Sequence, residues 1–254
     1  MSLFCTLAMG KRYADQARYL VADLEGFGAR ILVLTDHPKT FRCFRNAVTR
    51  PYYPERFSYH LKRTALREAL LLEPSVTFID ADGVLRHGVP KAVIQNAVSY
   101  RFPPGFHGSK IRTIKEAGKY VYPDKEALGS SWGIEFDRDS ITYQEMLFNL
   151  TMEEGKEESF LGIWDRFATA AETSGESGKG EGTCIGIAAH GSGLTLHGSN
   201  HMDASLLSKV FWHCSLDFRL RPYHQARQRL LSAFGLVKKA DLEKSALYHD
   251  GMAS

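Results

Sequence analysis

Two aspartates separated by one small residue, Asp80-Ala81-Asp82, form the motif with the clearest chemical meaning in this sequence. They directly follow Val76-Thr77-Phe78-Ile79, a run typical of a strand buried on both faces. At the end of such a strand both carboxylates can reach one divalent cation, and hard oxygen ligands favour Mg²⁺ or Mn²⁺. The small Ala81 leaves room for the backbone to approach a ligand. A cation bound there would neutralise a departing nucleoside diphosphate, although such triplets also arise by chance at solvated strand ends.

The elements that must position this pair alternate between strands and helices. Residues 3–9 form an apolar run, and apolar residues at helical spacing between Lys11 and Glu25 predict a helix. Ile31-Leu32-Val33-Leu34 predicts a second buried strand. A second amphipathic helix, from Leu61 to Leu70, leads into the strand that precedes the aspartates. This order predicts an α/β fold with a mostly parallel sheet flanked by helices, in a single compact unit.

Polar groups follow the first three predicted strands, where an open α/β sheet forms its ligand crevice. The first strand provides Thr6 onward, the second ends at Thr35-Asp36, and the third ends at Asp80. We therefore predict that residues 1–100 form a nucleotide-binding half and residues 101–254 an acceptor-binding half of the same domain. The Ser- and Gly-rich segment from Thr173 to Gly182 predicts a loop.

Composition narrows the class of protein further. The net charge of +3 does not demand a nucleic-acid partner, and no stretch has the roughly 20 apolar residues that cross a bilayer. The four cysteines show no metal-binding spacing, which favours a reducing, cytoplasmic location. Basic residues concentrate near the C-terminus, which is compatible with phosphate, a membrane surface, DNA or only a solvated helix face. They are Arg219, Arg221, Arg227, Arg229, Lys238 and Lys239.

Two segments resemble glycosyltransferases of the GT-A type. Leu7-Ala8-Met9-Gly10-Lys11-Arg12-Tyr13 is similar to the uracil-binding opening of the alpha-galactosyltransferase and blood-group transferase family. The helix His60–Leu70, followed by Phe78-Ile79-Asp80-Ala81-Asp82, is similar to a "K-R-x-A-L … F-I-D-A-D" block of bacterial GT-A transferases. The resemblance is clearest over residues 4–86. It implies a GT-A-like fold and transfer of a hexose from a UDP-sugar with Mn²⁺ or Mg²⁺ bound.

The same resemblance implies roles for individual residues. Thr6, Ala8 and Tyr13 would hold the nucleobase. Asp36 would lie near the base or ribose, Lys62 or Arg63 would face the nucleotide, and Asp80 with Asp82 would bind ribose and metal, beside Ala81. Each has a structural alternative, since Tyr13 could be a core residue, Asp36 a turn cap, and the two basic residues surface charge.

In the C-terminal half the candidate catalytic residues are acids. Glu157-Glu158-Ser159-Phe160-Leu161 resembles the "D-E-S-x-L" segment that lies against the reacting sugar in the blood-group family. Glu158 is therefore the first candidate for nucleophile or base, followed by Asp165 and Glu181, and the alternative is a charged helix start.

A third likeness concerns His197-Gly198-Ser199 and Lys209. These loosely resemble the metal-binding His and the phosphate-binding residues near the C-terminus of glycogenin-like transferases. His197 would complete the metal shell and Lys209 would bind the donor, whereas a lone histidine is more often structural.

Two other functions use the same residues. Phe78-Ile79-Asp80-Ala81-Asp82-Gly83-Val84-Leu85 also matches the haloacid dehalogenase-type phosphatase motif, with Asp80 as nucleophile, but that motif normally opens its domain. A non-catalytic sugar-nucleotide-binding protein would have much the same sequence. Gly178-Lys179 is not a P-loop, because Thr173 and Gly180 stand where glycine and Ser or Thr are required. The acceptor expected for a transferase is a glycan or lipid-linked sugar, with a hydroxylated DNA base and peripheral membrane contact also compatible with the sequence.

Overall fold

The first two strands and the helix between them form a parallel β-α-β unit. β1 is Leu3–Ala8, α1 is Gly10–Glu25 and β2 is Ile31–Thr35. α1 buries the residues that recur at helical spacing along one face, which are Ala14, Ala17, Leu20, Val21 and Leu24. Gly10 begins the helix with a φ of 77°, a conformation that glycine adopts without a steric cost. The predicted strand-helix-strand order is confirmed.

The computed structural model describes residues 3–86, 88–113, 130–134, 141–173, 180–197 and 202–213. The chain divides into two units, residues 1–212 and 213–254, and only His213 of the second is among the described residues. The predicted basic C-terminal region therefore lies outside the described residues. Among the described residues, no helix has the length and apolar character needed to cross a membrane.

The remaining elements follow in chain order. They are β3 Ala47–Pro51, α2 Lys62–Leu70, β4 Ser75–Ile79, β5 Gly83–Leu85, α3 Lys91–Val98, β6 Gly105–Thr113, β7 Ile141–Thr151, α4 Lys156–Thr173, α5 Glu181–Gly191, β8 Leu196–His197, α6 Met202–Val210 and β9 Phe211–His213. The loop predicted from Thr173 to Gly182 is wrong at both ends, because Thr173 belongs to α4 and α5 already begins at Glu181. Residues 174–179 lie outside the described residues.

One seven-stranded sheet contains most of the strands, in the order β3-β2-β1-β4-β7-β6-β8. β3, β2, β1 and β4 run parallel, and β8 is parallel to β6. β7 is antiparallel to both of its neighbours, β4 and β6. Strands from before and after residue 100 thus share one sheet, while the predicted boundary between donor and acceptor halves stays a prediction. The predicted class, an α/β fold with a mostly parallel sheet flanked by helices, is confirmed.

Each face of the sheet has its own apolar core. α2, α4 and α5 cover one face, with Trp164 and Phe148 among the fully buried side chains. α1, α3 and α6 cover the other, with Phe4 and Phe211 in contact. Trp164 of α4 donates a hydrogen bond from Nε1 to Nδ1 of His60, 3.0 Å away, which ties α4 to the turn in front of α2. The start of α2, and with it Lys62, is therefore held by buried packing.

Candidate functional site

The strand order reverses between β1 and β4, which are parallel neighbours in the sheet. β2 and β3 are added on one side of β1, and β4 is added on the other. In open α/β sheets the carboxyl ends of the strands at such a switch point form the ligand crevice. Gly10, Asp36 and Asp80 all lie just beyond these strand ends, whereas Thr6 lies within β1. That these strand ends form one ligand site stays a prediction.

Asp36 holds the turn between β1 and α1. Its Oδ1 accepts a hydrogen bond from the backbone N–H of Gly10 at 2.8 Å, and the neighbouring Thr35 hydroxyl donates to the carbonyl of Ala8 at 2.7 Å. Asp36 therefore caps a turn, which is the structural alternative that the sequence offered for this residue. Its predicted position near a base or ribose stays a prediction.

Asp80, Ala81 and Asp82 form a tight turn between β4 and β5. The N–H of Asp80 donates to the carbonyl of Met146 at 2.9 Å, and the N–H of Gly83 donates to the carbonyl of Asp80 at 2.8 Å. A Cβ at Gly83 would lie 2.6 Å from Cγ1 of Ile79, so only glycine fits at that corner. The side chain of Ala81 is buried in the core, and that of Asp82 is largely buried. The turn therefore presents its two carboxylates from a rigid frame.

Lys62 occupies the interior beside the first aspartate. Its Nζ lies 2.7 Å from Oδ1 of Asp80 and 3.2 Å from Oε2 of Glu181, and it donates to the carbonyl of Glu145 at 3.3 Å. Burial by itself would lower the pKa of this ammonium, but the carboxylates of Asp80 and Glu181 outweigh burial and hold the pKa of Lys62 above its ordinary value. The predicted nucleotide-facing lysine is thus an internal cation that joins two carboxylates.

Glu181 is the candidate catalytic acid that the fold brings to the aspartate pair. It is the first residue of α5, and Gly180 before it has a φ of 76°. Oε1 of Glu181 has no hydrogen-bond partner among the described residues. Burial raises the pKa of Glu181 to about 8; the ammonium of Lys62 opposes this shift, and the charges of Asp80 and Glu145 add to it. A buried acid with a perturbed pKa beside a crevice is a physical indication of a functional group.

A pair of tyrosines lies at the rim of the crevice. The pKa of Tyr13 is raised first by partial burial and then by a hydrogen bond with Tyr59 and the negative charge of Asp82, while Arg12 opposes the shift. Tyr59 is 42% exposed and meets the ring of Phe57 edge-on at 5.2 Å. The structure thus places Tyr13 near the second aspartate and adds Tyr59, which the sequence did not single out.

Thr6 and Ala8 both belong to β1, and both are fully buried. Ala8 is part of the core that also contains the buried face of α1. Their predicted contact with a nucleobase stays a prediction.

Arg63 and Asp165 bind each other between α2 and α4. The guanidinium of Arg63 pairs with Oδ1 of Asp165, and Arg67 pairs with Oδ2 at 2.7 Å. Nη1 of Arg63 also donates to the carbonyl of His60 at 2.7 Å. Both predicted residues therefore connect α2 to α4, and the structure does not bring them to Asp80 or Asp82.

Glu158 follows the end of β7, which lies beside the start of β4 and not beside the aspartates that follow β4. It follows β7, whose last residue Thr151 is paired with Ser75 at the start of β4. Asp80 is at the opposite end of β4, about 16 Å away along five residues of strand. Glu158 is exposed in the first turn of α4, as the alternative of a charged helix start describes.

The structure does not bring His197 to the aspartates. In the strand register His197 aligns with His107, Asn149 and Thr77, three strands away from β4, which is about 14 Å at ordinary strand spacing. The ring of His197 stacks on His107 at 4.1 Å, and its Nε2 bonds to the carbonyl of Pro104 at 3.1 Å. Gly198 and Ser199 lie outside the described residues. Lys209 is exposed near the end of α6, beside Val210, whose carbonyl binds the N–H of Arg86 at 2.7 Å.

No protein-family model matches the chain, and no curated protein matches it. Glycosyltransferases are among the solved structures that it resembles. The apo bifunctional glycosyltransferase WbbM has a TM-score of 0.43 and 11% identity, with 74% of this chain and 37% of that chain covered. The galactosyltransferase LgtC, in complex with donor and acceptor sugar analogues, has a TM-score of 0.45 and 12% identity, with 77% and 72% covered. An active-site mutant of LgtC has a TM-score of 0.46 and 10% identity over the same shares.

The aspartate turn suits a divalent cation by its charge. Asp80, Asp82 and Glu145 bring three acidic side chains to the surroundings of the turn, and Lys62 supplies one opposing charge. Carboxylate oxygens are the ligands that Mg²⁺ and Mn²⁺ prefer. Within the described ranges no group of three or more His, Cys, Asp or Glu side chains could hold a metal ion. Metal binding by Asp80 and Asp82 therefore stays a prediction.

The buried position of Lys62 was visible in the sequence, because it shares a helical face with Ala65, Leu66 and Ala69 at intervals of three, four and seven residues. Glu145 had no such signal. Its position depends on β7 lying antiparallel beside β4, and nothing local predicts that pairing.

Proposed function

We propose that this chain is a divalent-metal-dependent glycosyltransferase that moves a hexose from a nucleotide sugar, with UDP-hexose as the first candidate, to an acceptor hydroxyl. The observation that carries the proposal is the aspartate pair at the switch point of the sheet, backed by Lys62, whose ammonium lies between Asp80 and Glu181. A crevice whose aspartates hold a divalent cation, with a perturbed acid behind them, would suit transfer from a nucleoside diphosphate.

Asp80 and Asp82 would hold Mn²⁺ or Mg²⁺, which when bound neutralises charge on the diphosphate leaving group. Tyr13 and Tyr59 lie at the rim near Asp82, where a nucleobase attached to that diphosphate would reach. Aromatic side chains stack on bases with about 1–3 kcal/mol per base. Asp36 would act indirectly, by holding the Gly10 turn in place.

Glu181 is our assignment for the carboxylate that faces the reacting sugar. Its Oε1 is available among the described residues, and its other oxygen shares the ammonium of Lys62 with Asp80. A carboxylate there would stabilise the positive charge that develops at the anomeric carbon or accept the proton of the acceptor hydroxyl. Glu158 and Asp165 are not assigned this role, because one is exposed beyond the end of β7 and the other is paired with two arginines.

The acceptor we propose is the hydroxyl of a glycan or a lipid-linked sugar. A hydroxylated base in DNA is the second class, and its binding would weaken steeply as the salt concentration rises. The two classes are separated by whether an oligosaccharide or a DNA duplex accelerates consumption of the donor.

The test is donor hydrolysis and transfer with a panel of nucleotide sugars, with Mn²⁺ or with chelator. We expect one donor to release its nucleoside diphosphate only with metal present, and Asp82→Asn to lose this activity by about 100-fold or more while remaining folded. Asp15→Asn is the matched control, since Asp15 is a surface acid paired with Lys11 and its loss should leave turnover unchanged. Full activity of Asp82→Asn or in chelator would overturn the assignment. Phosphate release from p-nitrophenyl phosphate without a sugar nucleotide would favour the phosphatase alternative.

A further inference from the structure

Exposed aromatic side chains concentrate in the connection between β3 and α2. Among the described residues, three of the five large hydrophobic side chains that are exposed belong to residues 53–59, which we call the aromatic segment. Tyr53, Phe57 and Tyr59 are 71%, 44% and 42% exposed. Hydrophobic surface that is gathered in one place on a protein marks a site of interaction.

The aromatic segment begins at the carboxyl edge of the sheet, on the same side as the candidate site. Pro51 ends β3 opposite Thr35 of β2, and the N–H of Tyr52 donates to the carbonyl of Thr35 at 2.9 Å. The segment ends at Tyr59, which hydrogen-bonds Tyr13 of α1. The exposed rings therefore extend from the outer strand of the sheet to the rim of the crevice.

Positive charge accompanies these rings. Between residues 37 and 61 the sequence has a single acid, Glu55, and five basic residues, all of them exposed. The basic residues are Lys39, Arg42, Arg45, Arg50 and Arg56. Across the rim, the guanidinium carbon of Arg12 lies 5.9 Å from the ring centre of Tyr13, in a first turn of α1 that contains no acid. A surface with this balance of charges attracts an anionic partner.

The geometry of the rings favours a lipid surface over nucleic acid. Phe57 and Tyr59 meet edge to face, with ring centres 5.2 Å apart and planes inclined by 76°. Two rings in this arrangement do not offer parallel faces to successive bases, as a platform for a single strand requires. At a bilayer surface, in contrast, an apolar ring enters the acyl boundary while tyrosine hydroxyls and arginines stay among the headgroups.

We propose that the aromatic segment is a docking surface for a bilayer that contains anionic lipids. Tyr53 and Phe57 enter the interface, and Arg56 binds lipid phosphates. The surface is defined without the aspartate pair and needs neither a metal nor a sugar donor, so it goes beyond the proposed function and does not depend on it. Because Tyr59 belongs to both, docking brings the rim of the crevice to the membrane, where a lipid-linked acceptor would lie.

Flotation of the full chain with lipid vesicles tests the docking surface. One set of vesicles contains phosphatidylcholine alone, and the other contains about 30% phosphatidylglycerol as the anionic lipid. We expect the chain to partition onto the anionic vesicles at least about 10-fold more strongly, because each basic residue near the surface adds attraction. Higher salt should weaken this partition, because it screens the charges.

Substitutions separate the aromatic segment from the rest of the surface. Phe57→Ser should weaken the partition about 10-fold, and Arg56→Gln about 5-fold. The matched controls are Leu71→Ser, at a residue that is 76% exposed after α2, and Arg30→Gln, at an exposed residue before β2. Both controls should leave the partition unchanged. If Phe57→Ser does not fold, Tyr53→Ser decides the question, since that side chain is mostly in solvent.

Three outcomes would overturn the docking surface. The first is no binding to anionic vesicles, and the second is binding that Tyr53→Ser and Phe57→Ser leave unchanged. The third is binding of a single-stranded oligonucleotide, or self-association of the chain, that these variants weaken while vesicles are not bound. Flotation does not require turnover, so each of these outcomes would leave the proposed function intact.

Discussion

The ammonium nitrogen of Lys62 lies 2.7 Å from Oδ1 of Asp80, so the first residue of α2 neutralises the residue that follows β4. The contact forms inside the protein, because α2 packs on the sheet between β1 and β4 and brings its first turn to their carboxyl ends. The same ammonium lies 3.2 Å from Oε2 of Glu181, so Lys62 joins the aspartate turn to the start of α5.

Removal of the ammonium should destabilise the protein. Lys62→Met leaves the carboxylate of Asp80 without its counter-charge and leaves Glu181 without its polar partner, and loss of one partner of a buried ion pair costs about 3–5 kcal/mol. Lys11→Met removes an ion pair of similar length, 3.0 Å, in which the lysine is 81% exposed, and should cost no more than about 0.5 kcal/mol. Urea unfolding at pH 7 measures both, and equal costs would contradict the buried role of Lys62.

The catalytic assignment predicts different effects for three acids. Glu181→Gln should lower kcat by about 100-fold or more, because the carboxylate facing the reacting sugar becomes neutral. Glu158→Gln and Asp165→Asn should stay within about 3-fold of the unchanged chain in kcat, with Asp165→Asn also losing some stability through its arginine partners. Steady-state kinetics on one donor measures all three. A large loss of kcat in Glu158→Gln, with full activity in Glu181→Gln, would reverse the assignment.

The raised pKa of Glu181 also predicts a pH dependence of stability. Its folded pKa of about 8 lies above the ordinary value of 4.5, so in the metal-free protein the unfolded chain loses this proton first as pH rises. The associated stability is complete below pH 4.5 and is lost progressively up to about pH 8. Glu181→Gln has no proton to lose at this position. Between pH 4.5 and 8 its free energy of unfolding should therefore rise relative to that of the unchanged chain, by at most about 5 kcal/mol. A flat difference between pH 4.5 and 8 in chemical denaturation would contradict it.

Two glycines in helices should respond oppositely to alanine. A Cβ at Gly182 would lie 2.4 Å from the carbonyl oxygen of Tyr143, so Gly182→Ala should displace the start of α5 and cost about 1–3 kcal/mol. A Cβ at Gly162, in α4, meets nothing within 4 Å, and Gly162→Ala should stabilise the protein by about 0.5–1 kcal/mol. Thermal unfolding compares them, and kcat should fall only in Gly182→Ala, because that glycine seats Glu181. Equal melting temperatures would show that α5 does not pack as described.

The sequence by itself determined the N-terminal architecture and the first part of the site. α1 and α2 have apolar residues at helical spacing, and β1, β2 and β4 are continuous apolar runs, so each element follows from its own residues. The position of Asp80 and Asp82 at the carboxyl end of a parallel strand follows from the same local pattern, since such strand ends lie along one edge.

Only the tertiary structure decided which distant side chains join the aspartates. Glu181 and Glu158 both stand in the first turn of a helix, and nothing in their local sequence says which helix begins at the site. The antiparallel insertion of β7 between β4 and β6 decides it, because β7 ends beside the start of β4, so that α4 begins far from the aspartates, and because His197 lies three strands from β4. Strand order and helix packing depend on burial of apolar surface between segments that are distant in sequence. Periodicity along the chain could therefore predict the elements, but it could not predict the partners of Lys62.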